Sequence, residues 1–197
     1  MTSAGDDVRV EATVEVGAGP DAARREAIRE DAAGAGVTDA EHDAAATVEP
    51  EVVWPVALEE IVAKARERFG VPTINAMQRN SLPEGTLVVD VRGASETAVS
   101  TIANARRLQS ESAREAFLDE PPATPVLVYC TAGWRSAEFT QQLREAGVEA
   151  YNLEGGLCAW ALFGQPIVDE QGAATRRIHS YSEDWADCVP EGYSAVW

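Results

Sequence analysis

The sequence predicts an α/β fold in which a central parallel sheet is covered by helices on both sides. Two observations carry this prediction. Short runs are rich in valine and mostly apolar, as is typical of strands buried on both faces. Amphipathic stretches alternate with these runs along the chain, and such alternation favours parallel strands joined by helices. The length of 197 residues suffices for one domain with a core and an appendage.

Three segments are predicted as strands of the sheet. They are TLVVDV (86–91), PVLVYC (125–130) and EAYNL (149–153). The first two are nearly free of polar residues, which suits strands buried on both faces.

Four segments are predicted as helices, and most of them carry a recognisable start or stop signal. They are PVALEEIVAKARERFG (55–70), SESAREAFL (110–118), RSAEFTQQLREAG (135–147) and GGLCAWALFG (155–164). The first places Leu58, Ile61, Val62, Ala65 and Phe69 on one face. The second begins with serine, and the first and third end at glycine. In the third, Ala137, Phe139, Leu143 and Ala146 are predicted to face inward.

Residues 1–50 differ from the rest and are predicted to be a mostly disordered acidic tail. They contain 13 alanines, no Leu, Phe, Trp or Tyr, and twelve acidic residues against four basic ones. Such a segment buries too little apolar surface to offset the entropy lost on ordering. Two stretches within it, VRVEATVEV and PDAARREAIRED, have the pattern of a strand and of a helix respectively.

The charge of the chain excludes several classes of partner. The formal net charge is −17 and the pI about 4.4, so no basic face for nucleic acid is predicted. Anionic membranes are disfavoured for the same reason, and no apolar stretch is long enough to span a bilayer. The first residues lack the pattern of a secretory signal, which favours a cytoplasmic protein.

The basic residues are almost all arginines, since Lys64 is the single lysine. A GC-rich genome and adaptation to high salt both remain open as explanations of this composition.

The three cysteines, Cys130, Cys158 and Cys188, do not form a disulfide framework, since their number is odd. Cys158 lies in a short apolar helix and is predicted to belong to the core, and Cys188 falls in a polar stretch. The spacing supports no disulfide partner for Cys130. The two histidines, His42 and His179, have no ligand spacing, so neither a metal nor a cofactor is predicted.

Cys130 is the candidate nucleophile because it falls at the carboxyl end of a predicted strand, where open parallel sheets bind their ligands. The loop Thr131–Ala132–Gly133–Trp134–Arg135 follows, and a helix begins near Ser136. A tight loop with glycine can turn its N–H groups towards one point, and the helix start adds a positive dipole end. This setting favours a thiolate and would also hold a persulfide. Arg135 would add a positive fork suited to an oxyanion.

These residues resemble the rhodanese sulfurtransferases, whose pattern is a strand ending in Cys, then x-x-G-x-R-S, a helix, a strand and Gly-Gly-x-x-x-Trp. The matching positions here are Cys130, Gly133, Arg135, Ser136, Gly155, Gly156 and Trp160. Upstream, Asp90, Val91, Arg92 and Glu96 match the family's Asp-Val-Arg stretch. The resemblance covers about residues 70–165, and GQPIVDEQGAATRRIHSYSEDW resembles an extension of some small bacterial members.

The resemblance implies a three-layer α/β fold and a Cys130 persulfide that passes sulfur from a donor such as thiosulfate to a thiol or to cyanide. Residues 51–165 would form the rhodanese-like domain, and residues 166–197 an extension packed on it. Thr131, Ala132, Gly133, Trp134, Arg135 and Ser136 would bind substrate. The partners would be a small sulfur donor and a thiol acceptor, a thioredoxin-like protein among the candidates; the oligomeric state is not predicted.

This chain departs from the family's pattern at one place, and the role of Asp90 and Arg92 stays open. The family's Gly-His-Ile and Pro-Gly-Ala are replaced by Ser100-Thr101-Ile102 and Ala103-Asn104-Ala105, which affects the geometry of that loop. Asp90 and Arg92 fit an ion pair that braces the site better than they fit substrate ligands.

Two other functions compete with sulfur transfer. A phosphatase or arsenate reductase is disfavoured because four residues, not five, separate Cys130 from Arg135. A sulfur carrier or regulatory module without turnover is the main alternative.

Overall fold

The computed structural model describes residues 52–197, so the predicted acidic tail over residues 1–50, with its candidate strand and helix, lies outside the described residues. The described residues contain a five-stranded parallel sheet. Its strands are β1 (Thr73–Ile74), β2 (Leu87–Asp90), β3 (Arg106–Arg107), β4 (Val126–Tyr129) and β5 (Ala150–Leu153). They lie in the order β1-β5-β4-β2-β3, with β4 at the centre.

Five α-helices and two 3₁₀ helices accompany this sheet in the described part of the chain. The α-helices are α1 (Val56–Phe69), α2 (Ala94–Val99), α3 (Glu111–Asp119), α4 (Trp134–Glu145) and α5 (Gly156–Leu162). The 3₁₀ helices span Ala76–Ser81 and Glu183–Cys188. Two further strands, β6 (Arg177–His179) and β7 (Ser194–Val196), pair with each other. None of the helices within residues 52–197 has the length and apolar character needed to cross a membrane.

The sheet separates two apolar cores, and this gives the predicted three layers. Along β4 every residue is buried, and successive side chains enter opposite cores. Leu127 and Tyr129 pack with residues of α1 and α5. Val126 and Val128 pack with residues of α3 and α4. The prediction of a central parallel sheet flanked by helices is confirmed.

The start and stop signals of the helices function as the sequence indicates. Gly70 ends α1 in the left-handed conformation at φ 59°. The Ser110 hydroxyl caps α3 by accepting a hydrogen bond from the Ala113 N–H at 3.1 Å. The inward position of Ala146 is wrong: α4 ends at Glu145, and Ala146 is exposed beyond its last turn.

The C-terminal segment (residues 166–197) contributes to the core that contains α1 and α5. Ile167, Ile178 and Cys188 are buried in that core. Cys188 lies in a polar stretch of sequence as expected, but it is buried, because the 3₁₀ helix turns its thiol inward despite its acidic neighbours. The domain boundary at residues 165 and 166 stays a prediction.

Candidate active site

Cys130 follows the last residue of β4 directly, at the carboxyl edge of the parallel sheet. The residue is 2% exposed, and it precedes the start of α4 by four positions. The Gly133 N–H donates a hydrogen bond to Cys130 Sγ at 3.2 Å, and the Ser136 hydroxyl donates to the same sulfur at 3.5 Å. The loop therefore wraps around the sulfur and presents donors to it, an arrangement that stabilises negative charge there.

The loop presents its N–H groups to the sulfur because its carbonyl groups are bonded elsewhere. The carbonyl oxygens of Cys130 and Thr131 accept hydrogen bonds from the N–H groups of Leu157 and Cys158, at 2.8 and 3.0 Å. The N–H groups in the first turn of α4 have no acceptor within the helix. The N–H groups at the start of α4 are therefore available to the sulfur of Cys130.

Gly156 makes this contact between the loop and α5 possible. Its φ of 56° is in the left-handed region, where a side chain is unfavourable. A Cβ at this position would overlap with the Cys130 carbonyl oxygen and would lie 2.8 Å from the Thr131 carbonyl carbon. The second glycine of the Gly-Gly-x-x-x-Trp motif therefore has a direct steric role at the nucleophile loop.

Glu96 anchors the other side of the loop. Its carboxylate accepts two hydrogen bonds from the Arg135 guanidinium, at 2.8 and 2.6 Å, and one from the Thr131 hydroxyl at 3.0 Å. Burial alone would raise the pKa of Glu96, but the hydrogen bonds and charge of Arg135, with the Gly93 N–H, outweigh it and lower the pKa. Glu96 is therefore held ionised, and the positive charge of Arg135 is paired.

Asp90 and Arg92 form a buried ion pair behind the loop, both 0% exposed. Arg92 donates to both Asp90 carboxylate oxygens, at 2.9 and 2.7 Å, and to the Ser100 carbonyl at 2.6 Å. The Tyr129 hydroxyl meets the Thr101 hydroxyl at 2.7 Å and accepts from the Ile102 N–H at 3.0 Å. The network thus fixes the segment in which Ser100-Thr101-Ile102 departs from the family pattern, and Asn104 turns it at φ 63°.

A cleft of about 510 Å³ borders the Cys130 loop. One wall is the loop itself, where the Trp134 ring packs edge-on against Phe69 at 5.1 Å between ring centroids. The opposite walls come from α1 and the C-terminal segment. Their lining residues are Ile61, Lys64, Ser180, Tyr181, Trp185 and Cys188.

The structure brings together the candidate residues of the loop and separates the bracing pair from the cleft. The cleft is lined by Cys130, Thr131, Ala132, Trp134 and Arg135, whereas Gly133 and Ser136 donate hydrogen bonds to the sulfur without lining the cleft. Asp90 and Arg92 do not line the cleft. Cys158 is fully buried, and burial raises the pKa of its thiol.

Sequence reasoning missed Glu96 as a partner of the loop and the walls from α1 and the C-terminal segment. Glu96 could be singled out in the sequence because it matches the family's motif. Its contact with Arg135 could not be predicted, because the two residues lie 39 positions apart. Tyr181 and Trp185 could not be singled out, because isolated aromatic residues in a polar stretch have no periodicity.

Cys188 is a buried thiol on the wall of the cleft. Burial raises the pKa of this thiol, and the charge of Asp187 raises it further.

Comparisons with known proteins agree with this architecture. The rhodanese-like domain model matches residues 74–162. A sulfurtransferase of Allochromatium vinosum is 34% identical over 96 residues, which cover 48% of this chain and 90% of that protein. The chain therefore belongs to the rhodanese-like family.

Two further matches cover half of this chain or less. A tRNA uridine(34) hydroxylase of Chlamydia muridarum is 38% identical over 85 residues, which cover 39% of this chain and 26% of that protein. Among solved structures, a rhodanese-related protein from Thermoplasma volcanium is 29% identical with a TM-score of 0.46. That match covers 50% of this chain and 99% of the other.

Proposed function

We propose that this protein is a sulfurtransferase that moves a sulfane sulfur from thiosulfate or a persulfide donor to a thiol or to cyanide. Cys130 carries the sulfur between the two as a persulfide. The observation that carries the proposal is the pair of donors on Cys130 Sγ, from the Gly133 N–H and the Ser136 hydroxyl. They sit at the start of a twelve-residue helix, whose dipole also favours an anion.

In the first half-reaction, the Cys130 thiolate attacks the outer sulfur of thiosulfate. The sulfur–sulfur bond of thiosulfate breaks, its electron pair leaves with sulfite, and Cys130 holds an anionic persulfide. The negative charge moves outward by one sulfur atom, so the donors that matter are the N–H groups between Thr131 and Ser136. These groups are fixed before the reaction because α5 holds the loop carbonyls.

In the second half-reaction, an acceptor takes the outer sulfur and the electron pair of the broken bond returns to Cys130. A thiol acceptor leaves as a persulfide, and cyanide leaves as thiocyanate. Arg135 keeps its place through Glu96 and lines the route to the sulfur. Asp90 and Arg92 brace the site from behind and touch no substrate in this proposal.

The proposal places the reaction in the cytoplasm, with a small sulfur donor and a thiol acceptor as partners. All three cysteines are free thiols, which suits a reducing compartment. No cofactor takes part, since both half-reactions exchange one sulfur–sulfur bond for another or for a sulfur–carbon bond.

Steady-state formation of thiocyanate from thiosulfate and cyanide tests the proposal. Wild type should turn over many times per molecule, and Cys130→Ser should lose at least about 10³-fold because the nucleophile is gone. Cys158→Ala is the matched control, because its buried thiol takes no part. Transfer of one sulfur per chain without turnover would favour the alternative, a sulfur carrier or regulatory module.

A further inference from the structure

The cleft beside Cys130 is walled mainly by apolar and aromatic side chains, although the chain as a whole is strongly acidic. Three aromatic residues line it: Trp134, Tyr181 and Trp185. Tyr181 and Trp185 are 65% and 40% exposed, so two large rings lie open to solvent at one place. Its volume of about 510 Å³ is within the range of sites for small organic molecules.

The two cations that line the cleft already have carboxylate partners. Arg135 is held by Glu96 through two hydrogen bonds, and the Tyr181 ring lies 5.5 Å from its guanidinium carbon. Lys64 pairs with Glu60 at 3.5 Å. Because both cations are paired, they add little attraction for a charged group on the body of an acceptor, and the apolar lining favours an uncharged body.

The backbone holds the Tyr181 ring in place at a cost. Its φ is 76°, a left-handed conformation that a bulky residue rarely adopts. The Tyr181 N–H donates to His179 Nδ1 at 3.0 Å, and the Ser180 hydroxyl donates to the Ser182 carbonyl at 2.8 Å. The turn directs an aromatic ring over the cleft instead of into the core.

From these walls and charges, we propose that the cleft is the acceptor subsite and selects a small organic thiol with an uncharged, apolar body. This inference rests on the proposed sulfur transfer and names its acceptor class. The apolar body would lie against Trp185 and Tyr181, with the sulfhydryl directed at Cys130. The acceptor sulfur attacks the outer sulfur of the persulfide, its proton ends on the product persulfide, and Cys130 regains a thiolate.

The test compares three acceptors with thiosulfate as donor: cyanide, 2-mercaptoethanol and 2-phenylethanethiol. Wild type should use 2-phenylethanethiol with a kcat/KM at least about tenfold above that of 2-mercaptoethanol, because the phenyl ring of the acceptor would be buried in the cleft. The two values are compared after correction for the fraction of each thiol that is ionised. Trp185→Ala should raise KM for 2-phenylethanethiol about tenfold and change the KM for 2-mercaptoethanol much less, because only the larger thiol contacts this wall. Trp185→Phe, which keeps an aromatic wall, should stay close to wild type.

Trp197→Ala is the matched control, because Trp197 is 60% exposed but does not line the cleft. If wild type formed no thiocyanate from thiosulfate and cyanide, the proposed sulfur transfer itself would be wrong. Normal turnover of cyanide with equal use of both thiols would overturn only the acceptor class. A reaction with reduced thioredoxin that is far faster than with either thiol, and that Trp185→Ala abolishes, would also overturn the acceptor class. The cleft would then bind a protein.

Discussion

Glu96 and Arg135 form a two-point ion pair that ties α2 to the loop around the nucleophile. The Arg135 guanidinium, from the first turn of α4, donates to both carboxylate oxygens, and the same carboxylate also accepts a hydrogen bond from the Thr131 hydroxyl. An arginine that the sequence suggests as a binder of oxyanions is thus held by a buried carboxylate. Glu96 is a positioning residue for the loop.

Replacement of Glu96 by glutamine should weaken this anchor. We expect a loss of about 1–3 kcal/mol in the free energy of unfolding at pH 7, since a charged hydrogen-bond network loses its acceptor charge. The kcat for thiocyanate formation should fall because the loop is held less firmly. Urea unfolding and steady-state kinetics measure the two effects, and Glu145→Gln, at the exposed end of α4, is the control. Unchanged kinetics in Glu96→Gln would show that the anchor serves stability alone.

The lowered pKa of Glu96 predicts a specific dependence of stability on pH. A carboxyl group with a lowered folded-state pKa stabilises the protein above its unfolded pKa, about 4.3, and loses this contribution as the pH falls through the folded value. The stability difference between wild type and Glu96→Gln should therefore be full at pH 7 and shrink below about pH 4. Urea titrations at pH 7, 5 and 3.5 test this; a difference that does not change with pH would contradict it.

Gly156→Ala should disrupt the site more than an ordinary replacement of glycine. The new methyl group would overlap with the Cys130 carbonyl oxygen. In addition, the backbone at this position has a positive φ, which is unfavourable for alanine. Gly147→Ala is a matched control, because Gly147 has a φ of 84° but no atom within 4 Å of the added Cβ. We expect the control to lose about 1 kcal/mol and keep its activity. Gly156→Ala should lose more stability and most of its turnover, and equal behaviour of the two variants would refute the steric role.

The buried pair of Asp90 and Arg92 is predicted to brace the site without touching substrate. Asp90→Ala leaves a buried guanidinium without its partner, which costs about 3–5 kcal/mol. The milder Asp90→Asn should lose part of this stability while KM for thiosulfate stays unchanged. A higher KM at undiminished stability would instead make the pair a substrate ligand.

Thiol reactivity should separate Cys130 from Cys158. Burial raises the pKa of Cys158, so its thiolate is scarce and it should be alkylated only on unfolding. Cys130, which borders the cleft and has donors on its sulfur, should react first with iodoacetamide in the native protein. Peptide mass mapping over time gives the order, and early labelling of Cys158 would contradict the structure.

Much of the sheet and of the nucleophile loop could be predicted from the sequence because the information is local. A run such as PVLVYC signals a buried strand, and the segment from Cys130 to Ser136 carries its own turn and helix start. The two-residue strands β1 and β3 were missed, since two residues show no periodicity. The six-residue helix α2 was missed because ASETAV offers too few apolar positions for a helical pattern.

The contacts that complete the site lie far apart in sequence and could not be predicted. The partner of Arg135 is 39 positions upstream, and Trp185 approaches the cleft from a segment with mostly polar composition. Cys188 is buried although Asp184 and Asp187 precede it, because a 3₁₀ helix turns its thiol towards the core. Tertiary packing, not local pattern, decides these positions.

The central claim is that Cys130 carries a persulfide, and the mass of the intact protein after thiosulfate treatment tests it most directly. Wild type and Cys158→Ala should each gain the mass of one sulfur atom, and cyanide should remove it. Cys130→Ala should gain nothing. A gain of sulfur in Cys130→Ala, or none in wild type, would contradict the account.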